Sequence, residues 1–365
     1  MSDESTLFAA AGAMTSCVAR VASSASASAS APPPSPRRRR RLPRAVLAPR
    51  ASSSSSPASA LRDVLSKDGC ELMPGVYDAL GARLLAANDF QCAFMSGYGV
   101  AASRLGDPDV GLADLTAMTD AGTAVCRAAG AMPVVGDGDA GFGGVANVRR
   151  TVLAYHAAGF AAVSIEDQIF PKRCAFSDGM RVVSRAEAVA RVAAAVDARD
   201  EIRARGGDFM IVARTDARLA SDGGGGAFEE AMWRCAAFED LGADVVYFEG
   251  PDGEREMEAF NARVATPFTM LAQVEKPGRK LLTPTECANL GYDAVLHGLT
   301  LLSASVRGVN AAIEAMKEGN RAVGDELLTP FDALYEAVGF EEHYALEEKF
   351  SPAKYAAYEP PPRGR

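Results

Sequence analysis

The sequence lacks the cysteine and histidine spacings that are typical of zinc sites, and its cysteines are scattered. Its seven cysteines include no CxxC pair, and it has only three histidines, so we expect no zinc site of cysteine and histidine ligands. Scattered cysteines favour a reducing compartment such as the cytosol or the stroma, and we expect no disulfides. No apolar run approaches the roughly 20 residues that span a bilayer, which argues against a membrane-spanning protein.

The net charge of -9 conceals two unlike segments. Through residue 50 the chain has eight arginines and only Asp3 and Glu4 as acids, a net charge of +6, so the rest of the chain carries -15. An acidic body repels polyanions, which argues against nucleic acid and membrane as partners. A content of 48% hydrophobic and 23% charged residues is typical of a globular protein that buries a sizeable core.

The first stretch of the chain is rich in alanine, serine, proline and arginine, as in SSASASASAPPPSP and RRRRRLPR. Such a composition cannot bury enough apolar surface to fold by itself, and it resembles an organelle transit peptide. We therefore interpret residues 1–55 as a disordered transit peptide that directs the protein to the chloroplast stroma. The alternatives are an untargeted disordered tail, a nuclear signal or an RNA-binding tail.

From about residue 61 onward, apolar runs of strand length alternate with alanine-rich helical stretches. Eight runs fit strands: ELMPGV, CAFMSG, MPVVGD, AAVSIED, FMIVARTD, DVVYFEG, FTMLAQVE and DAVLHGLT. Eight strand and helix units in roughly 250 residues predict an α/β fold of the (β/α)8 TIM barrel type, and a doubly wound open sheet is the rival. We expect the barrel over residues 60–318, followed by a C-terminal helical extension and a disordered tail over residues 319–365.

Polar side chains recur where the eight strands end. They are Ser96, Asp137, Asp139, Glu166, Asp167, Arg214, Asp216, Glu249, Glu275 and His297. Active sites of this barrel form at the carboxyl ends of its strands, so the recurrence predicts an active site there. A single such residue is more often a solvated loop residue, and only the repetition favours function.

Three carboxylates of this set suggest a metal site. Asp137 and Asp139 stand two apart, so a continuing strand would point both into the barrel mouth, and Glu166 follows the next strand. An all-oxygen set suits Mg²⁺, with Mn²⁺ as an alternative, because zinc prefers histidine and cysteine. Arg214 offers a planar fork for a substrate carboxylate or phosphoryl group, or else an ion pair with Asp216 or Glu166.

Six segments resemble the isocitrate lyase and phosphoenolpyruvate mutase superfamily, in particular its plant chloroplastic carboxyvinyl-carboxyphosphonate phosphorylmutase-like members. They are MPGVYDAL, MSGYGVAASRLGDPDVG, GDGDAGFGGVANVRRT, SIEDQIFPKRC, VARTDAR and ADVVYFEG. The resemblance implies a (β/α)8 barrel and Mg²⁺-dependent chemistry on small α-oxo or α-hydroxy carboxylates. It also implies a homo-oligomer, a dimer or a tetramer, in which a late helix swaps between subunits.

The resemblance also implies roles for individual residues. Asp137 would hold Mg²⁺, and three further acids would act largely through its waters. Backbone and hydroxyl groups of this chain would bind the carboxylate of the substrate, and further side chains would bind its other polar groups. The metal set is Asp137, Asp139, Glu166 and Asp109, and the substrate set is Ser96, Gly97, Tyr98, Arg214, Glu249 and His297.

One segment separates the chemistries within the superfamily. Lyases resemble KKCGH or KRCGH there, and this chain keeps Lys172, Arg173 and Cys174 but has Ala175 and Phe176 in place of glycine and histidine. The neighbouring cations favour the Cys174 thiolate, so Cys174 is the expected general acid/base, with Arg214 and Glu166 as further catalytic residues. The following FSDG resembles the gating loop of phosphonopyruvate enzymes instead.

Three functions are therefore open. The first is a Mg²⁺-dependent lyase that cleaves a C–C bond in a small 2-hydroxy or 2-oxo carboxylate through an enolate. The second is a phosphonopyruvate-type mutase or hydrolase that acts on a C–P bond. The third is a catalytically weakened paralogue, which the changes at Ala175, Phe176 and Ala272 suggest, Ala272 standing where relatives have asparagine.

Overall fold

The computed structural model describes residues 56–174, 179–220, 227–265, 268–275, 280–317 and 327–359. The proposed transit peptide, residues 175–178 with Ala175 and Phe176, and the last six residues of the tail lie outside this part of the chain. Within the described part, no helix is both long enough and apolar enough to cross a membrane.

Eight parallel strands close into a barrel in chain order, with the last strand paired to the first. They are β1 Glu71–Val76, β2 Ala93–Met95, β3 Val134–Asp137, β4 Ala162–Ile165, β5 Met210–Thr215, β6 Val245–Phe248, β7 Phe268–Gln273 and β8 Ala294–His297. Each strand lies within one of the eight predicted runs. The TIM barrel prediction is confirmed, and the doubly wound sheet is excluded.

Helices follow the strands and surround the barrel. In the described residues they are α1 Pro57–Leu65, α2 Ala79–Ala87, α3 Gly97–Val100, α4 Leu115–Ala129, α5 Val145–Ala158, α6 Arg185–Ala204, α7 Ala227–Asp240, α8 Glu254–Arg263, α9 Pro284–Asn289, α10 Thr300–Lys317, α11 Phe331–Val338 and α12 Phe340–Lys349. Side chains at N-cap positions start several of them by accepting backbone N–H bonds, for example Asp114 before α4 and Ser184 before α6.

Strand side chains alternate between the barrel interior and the surrounding helices, because successive residues of a strand point to opposite faces. The interior contains Phe94, Val135, Met210, Tyr247 and Met270, among others. Helix α1, which begins three residues before the expected start of the barrel, adds its buried residues to the same apolar cluster. The interior is thus a packed core, and open space for a ligand is left at the carboxyl ends of the strands.

The closure between β1 and β8 requires a glycine at position 75. A Cβ at this position would overlap the backbone of Gly298 just beyond β8, 2.8 Å from its Cα. Backbone cannot move aside as a flexible side chain can, so a methyl group here would force the strands apart. The reciprocal position tolerates a methyl group, since nothing lies within 4 Å of a Cβ at Gly298.

We predict that Gly75→Ala lowers the free energy of unfolding by about 1–3 kcal/mol through overpacking at the closure. Gly298→Ala is the matched control and should change it by less than about 0.5 kcal/mol. Urea unfolding followed by circular dichroism measures both. Equal effects of the two substitutions would contradict this account of the closure.

Candidate active site

The strand ends bring a group of charged side chains together at one end of the barrel. Six acids and two bases form it: Asp109, Asp137, Asp139, Glu166, Asp216, Glu249, Lys172 and Arg214. All of the residues proposed for metal binding belong to this group, and so do the proposed catalytic residues Glu166 and Arg214. Lys172 was expected only as a neighbour of Cys174.

The two aspartates of the GDGD motif are not placed as a continuing strand would place them. Strand β3 ends at Asp137, and Asp139 has a left-handed backbone with φ of 46°. The expectation that both side chains follow one strand face is therefore wrong. Asp137 instead accepts two backbone hydrogen bonds, from the N–H of Gly97 at 3.1 Å and from that of Asp139 at 3.2 Å, so the turn folds around its carboxylate.

Lys172 lies among the acids that were expected to surround a metal ion. Its buried ammonium group forms a salt bridge with Asp109 at 2.9 Å and a second one with Asp139. Burial raises the pKa of Asp139 to about 6, although the Lys172 charge acts in the opposite direction. Burial likewise raises the pKa of Glu166 well above its usual value. Burial of these acids costs solvation free energy, and the Lys172 ammonium group offsets only part of that cost.

The donor set fits a divalent cation that prefers oxygen ligands. Glu166 is buried, and its Oε1 atom has no hydrogen-bond partner among the described residues. Six acids face two bases, all the potential ligands are carboxylate oxygens, and none is sulfur or imidazole. In the conformation described, however, no three acidic, cysteine or histidine side chains of the described residues form a metal-binding cluster, and the Lys172 ammonium group bridges Asp109 and Asp139.

Arg214 is held by acids on its own and neighbouring strands. Its guanidinium group binds both carboxylate oxygens of Asp216, at 2.6 and 3.1 Å, and lies 3.4 Å from Glu166 and 3.5 Å from Glu249. The alternative of an ion pair is thus the arrangement seen. A substrate acid group would have to compete with Asp216 for this fork, which is suited to two parallel bonds.

The remaining proposed substrate residues are placed less uniformly. Ser96 ends β2 and accepts a hydrogen bond from the N–H of Gly99, so its hydroxyl group caps α3. Gly97 donates to Asp137, and Tyr98 lies beside it with 36% of its surface exposed. His297 lies 3.3 Å from Gln273 Nε2, on the strand face opposite to that of the interior residue Leu296. The structure does not place it with the acids.

The segment that carries Cys174 leaves the end of β4 and returns beside it. Its base is closed by two backbone bonds, from Ile169 N–H to Arg181 and from Val183 N–H to Asp167. The Lys172 salt bridges then fix the segment over the acids. Cys174 is half-buried and forms no disulfide, and it follows this anchored lysine by two residues.

The two sides of the barrel mouth differ in character. The charged side chains come from β3 to β6 and their loops, with Asp109 from the connection between β2 and α4, whereas β7 and β8 contribute Ala272 and Leu296 to the interior. Ala272 is half-buried, so the asparagine that the family resemblance led us to expect there would place its amide in the mouth. The chain leaves a small apolar surface opposite the acids instead.

Sequence reasoning missed Tyr247 of DVVYFEG. It lies fully buried in the interior, in register with Arg214 on the neighbouring strand, whose guanidinium carbon is 5.7 Å from the ring centre. Its hydroxyl group has no hydrogen-bond partner among the described residues. The sequence could have indicated it, because Tyr247 stands two residues before Glu249, and side chains two apart in a strand point to the same face.

A closed (β/α)8 barrel whose mouth gathers carboxylates, a largely buried arginine and a cysteine on an adjoining segment has the architecture of a TIM-barrel enzyme. Residues 61–317 match the family model described as phosphoenolpyruvate phosphomutase. The chain belongs to this family, within the superfamily of phosphoenolpyruvate mutases and isocitrate lyases. The resemblance stated from the sequence is confirmed.

Relatives of the chain are named as lyases and mutases. It is 35% identical to 2,3-dimethylmalate lyase of Eubacterium barkeri, over 80% of this chain and 98% of that protein. It is 33% identical to the chloroplastic carboxyvinyl-carboxyphosphonate phosphorylmutase of Arabidopsis thaliana, over 83% and 88%. These names place the chain among enzymes of the superfamily.

Solved structures agree with this assignment. Oxaloacetate acetylhydrolase with the inhibitor 3,3-difluorooxalacetate has a TM-score of 0.75 at 32% identity, over 83% of this chain and 99% of that one. Phosphonopyruvate hydrolase with oxalate and Mg²⁺ has a TM-score of 0.69 at 25% identity, over 81% and 99%. The second structure is that of a relative with a bound divalent metal.

We predict that Tyr247→Phe raises the free energy of unfolding by about 1 kcal/mol, because it removes a buried hydroxyl group that has no partner. Tyr155→Phe is the matched control, since the Tyr155 hydroxyl donates to the backbone oxygen of Asp137, and its loss should cost about 1 kcal/mol. Urea unfolding without added ligand measures both. A stability loss in Tyr247→Phe would contradict the prediction.

Proposed function

We propose that the protein is a Mg²⁺-dependent lyase that cleaves a C–C bond in a small 2-hydroxy or 2-oxo carboxylate. The observation that carries the proposal is the segment of Lys172 and Cys174, which the salt bridges of Lys172 hold against the acidic mouth. This arrangement keeps a thiol-bearing residue two positions from a lysine that is bound to the carboxylates of the mouth. A lyase of this kind needs a proton donor beside the site where the departing carbon becomes an enolate.

The oxygen-rich residues would hold Mg²⁺, with Asp137 as a direct ligand and Asp109, Asp139 and Glu166 acting through bound waters. When bound, the metal stabilises negative charge on the substrate oxygens and on the enolate. It would also offset the repulsion among the acids. Lys172 would then be freed, wholly or in part, from its place between Asp109 and Asp139.

Arg214 would exchange Asp216 for an acid group of the substrate and so orient the bond to be broken. A carboxylate of the site, for which we propose Glu166, takes the proton of the substrate hydroxyl group, so that this carbon becomes a carbonyl group and the electron pair of the breaking C–C bond passes to the departing fragment as an enolate. The Cys174 thiol donates its proton to the carbon of this enolate. The resulting thiolate is protonated again by the proton that the hydroxyl group lost.

The substrate class that we propose is a malate with small alkyl groups. The charged side of the mouth suits its two carboxylates, and the surface of Ala272 and Leu296 suits an alkyl substituent. One relative is named 2,3-dimethylmalate lyase. Oxaloacetate is the second candidate, because the neighbouring structure is that of an oxaloacetate acetylhydrolase.

The experiment is a panel assay of the full chain with Mg²⁺ or with EDTA. It tests 2-alkylmalates, 2,3-dimethylmalate, oxaloacetate, isocitrate, 2-methylisocitrate and phosphonopyruvate, and it detects released oxo acid or phosphate. We predict metal-dependent cleavage of an alkylmalate, and a loss of at least about 100-fold in kcat for Cys174→Ser. Phosphate release from phosphonopyruvate that does not depend on Cys174 would support the phosphonate alternative, which the relative phosphonopyruvate hydrolase favours.

We propose further that the protein is a homo-oligomer. In a complete barrel the helix after β8 packs against the strands, but none of the residues of α10, all of which are described, is buried. Apolar side chains on it are exposed, Val309 by 55% and Met316 by 61%. Helices α11 and α12 also expose apolar side chains, including Phe331 and Tyr344. A second copy of the chain would cover these surfaces, as a swapped helix does.

Light scattering after gel filtration tests the assembly. We predict a dimer or tetramer for the full chain, and dissociation when Val309→Asp and Ile313→Asp place two charges on α10. Val145→Asp is the control, because it alters an exposed apolar residue on α5. A monomeric wild-type protein, or equal dissociation in the control, would contradict the proposal.

We also propose that residues 1–55 direct the protein to the chloroplast stroma. The support is the composition of this segment, rich in serine and arginine and poor in acids. The plant relative carries the word chloroplastic in its name.

A further inference from the structure

We propose that Gln168 is a positioning residue whose side-chain amide joins the Arg214–Asp216 pair to the segment that carries Cys174. The inference rests on the proposed function for the roles of Arg214 and Cys174. It goes beyond that function because it assigns a task to a residue that touches neither the substrate nor the acids of the metal set.

Both ends of the Gln168 amide are used. Its Nε2 donates to Asp216 Oδ2 at 2.6 Å, and its Oε1 accepts from the backbone N–H of Arg173 at 3.1 Å. Asp216 Oδ2 is also bound by Arg214 Nη2. A continuous chain of hydrogen bonds therefore runs from the guanidinium group, through the carboxylate and the amide, to the residue that precedes Cys174.

The side chain performs this task in isolation from solvent. Gln168 is 1% exposed and Asp216 is fully buried, so water does not replace the bond between them when it breaks. Only an amide fits both partners, because one end must donate to a carboxylate and the other must accept from an N–H group. A carboxylate in its place would meet Asp216 as a like charge.

The backbone of Gln168 is fixed independently of its side chain. Its carbonyl oxygen accepts from Arg191 Nη1 at 2.8 Å, and its backbone pairs with Val182 across the base of the segment. A substitution at this position therefore removes the two amide bonds and leaves the end of β4 in place. The segment of Cys174 keeps the Lys172 anchor and loses the Arg173 anchor.

This arrangement links substrate binding with the cysteine. When a substrate acid group takes Arg214 from Asp216, the Asp216 carboxylate remains bonded to Gln168, and Gln168 continues to hold Arg173. The amide thus keeps the Cys174 segment in register with β5 during the exchange. Without it, Cys174 would move independently of the residues that orient the substrate.

The test measures how fast iodoacetamide alkylates Cys174 in the full-length wild-type protein and in a Gln168 variant. Peptide mass spectrometry reads the alkylation, and Cys174→Ser identifies the peptide signal that belongs to Cys174. Gln168→Met keeps the size of the side chain and removes both bonds. We expect Cys174 to react about fivefold faster in this variant, which corresponds to the loss of one net hydrogen bond.

A matched control is available in β7. Gln273 is also a buried amide with two bonds to backbone, to the oxygen and the N–H of Leu282 at 2.9 and 2.8 Å. Both bonds lie within the connection between β7 and α9, so Gln273→Met should lower stability but leave the alkylation rate of Cys174 within about twofold of wild type. Unchanged alkylation in Gln168→Met, or an equal increase in Gln273→Met, would overturn the proposal.

Kinetics supply a second readout on whichever substrate the panel identifies. Gln168→Met should lower kcat at least about tenfold with KM within about threefold, because it misplaces the proton donor and leaves the binding groups in position. A rise in KM alone would overturn the positioning role. If the wild-type protein cleaves no substrate, the lyase proposal fails, while the alkylation comparison still decides the role of Gln168.

Discussion

Acidic side chains outnumber basic ones at the barrel mouth, and the rest of the site depends on how this excess is held. Burial favours the neutral acids, which is why the pKa of Asp139 rises to about 6 and that of Glu166 rises well above its usual value. Lys172 and Arg214 are the two cations that offset it. The salt bridges of Lys172 set the position of the Cys174 segment. The Gln168 amide binds Asp216, which is the partner of Arg214.

The same electrostatic arrangement connects structure with function. On the proposed function, a divalent cation would offset the repulsion among these carboxylates, and Lys172 would be released in part when the cation binds. Arg214 is likewise held by the carboxylate of Asp216. On the proposed function, a metal ion would replace Lys172 between its two acids, and a substrate acid would replace Asp216 at Arg214.

The barrel contributes the geometry through the alternation of its strands. Interior positions below the mouth are apolar and packed, and interior positions at the mouth are charged on β3 to β6 and small or apolar on β7 and β8. This asymmetry distinguishes the site from one that surrounds a ligand with charge on all sides. It is the physical basis of our preference for a substrate with acid groups at one side and an alkyl group at the other.

The sequence by itself determined the eight strands, their order and the end of the barrel at which polar residues collect, because apolar periodicity and strand length are local properties. It also determined the family, through motifs such as GDGDAGFGG and VARTDAR. Asp137, Asp139, Glu166 and Arg214 could be proposed from position alone, since the carboxyl ends of parallel strands meet at one end of a barrel.

Only the tertiary structure decided how these residues are paired. Asp139 leaves the strand direction in a left-handed turn, Lys172 inserts among acids from distant parts of the chain, and Gln168 connects β4 with Asp216, 48 residues away. His297 faces away from the interior, because the last residue of β8 follows Leu296 on the opposite face. Such pairings depend on turn geometry and on contacts between distant segments, which local sequence patterns do not encode.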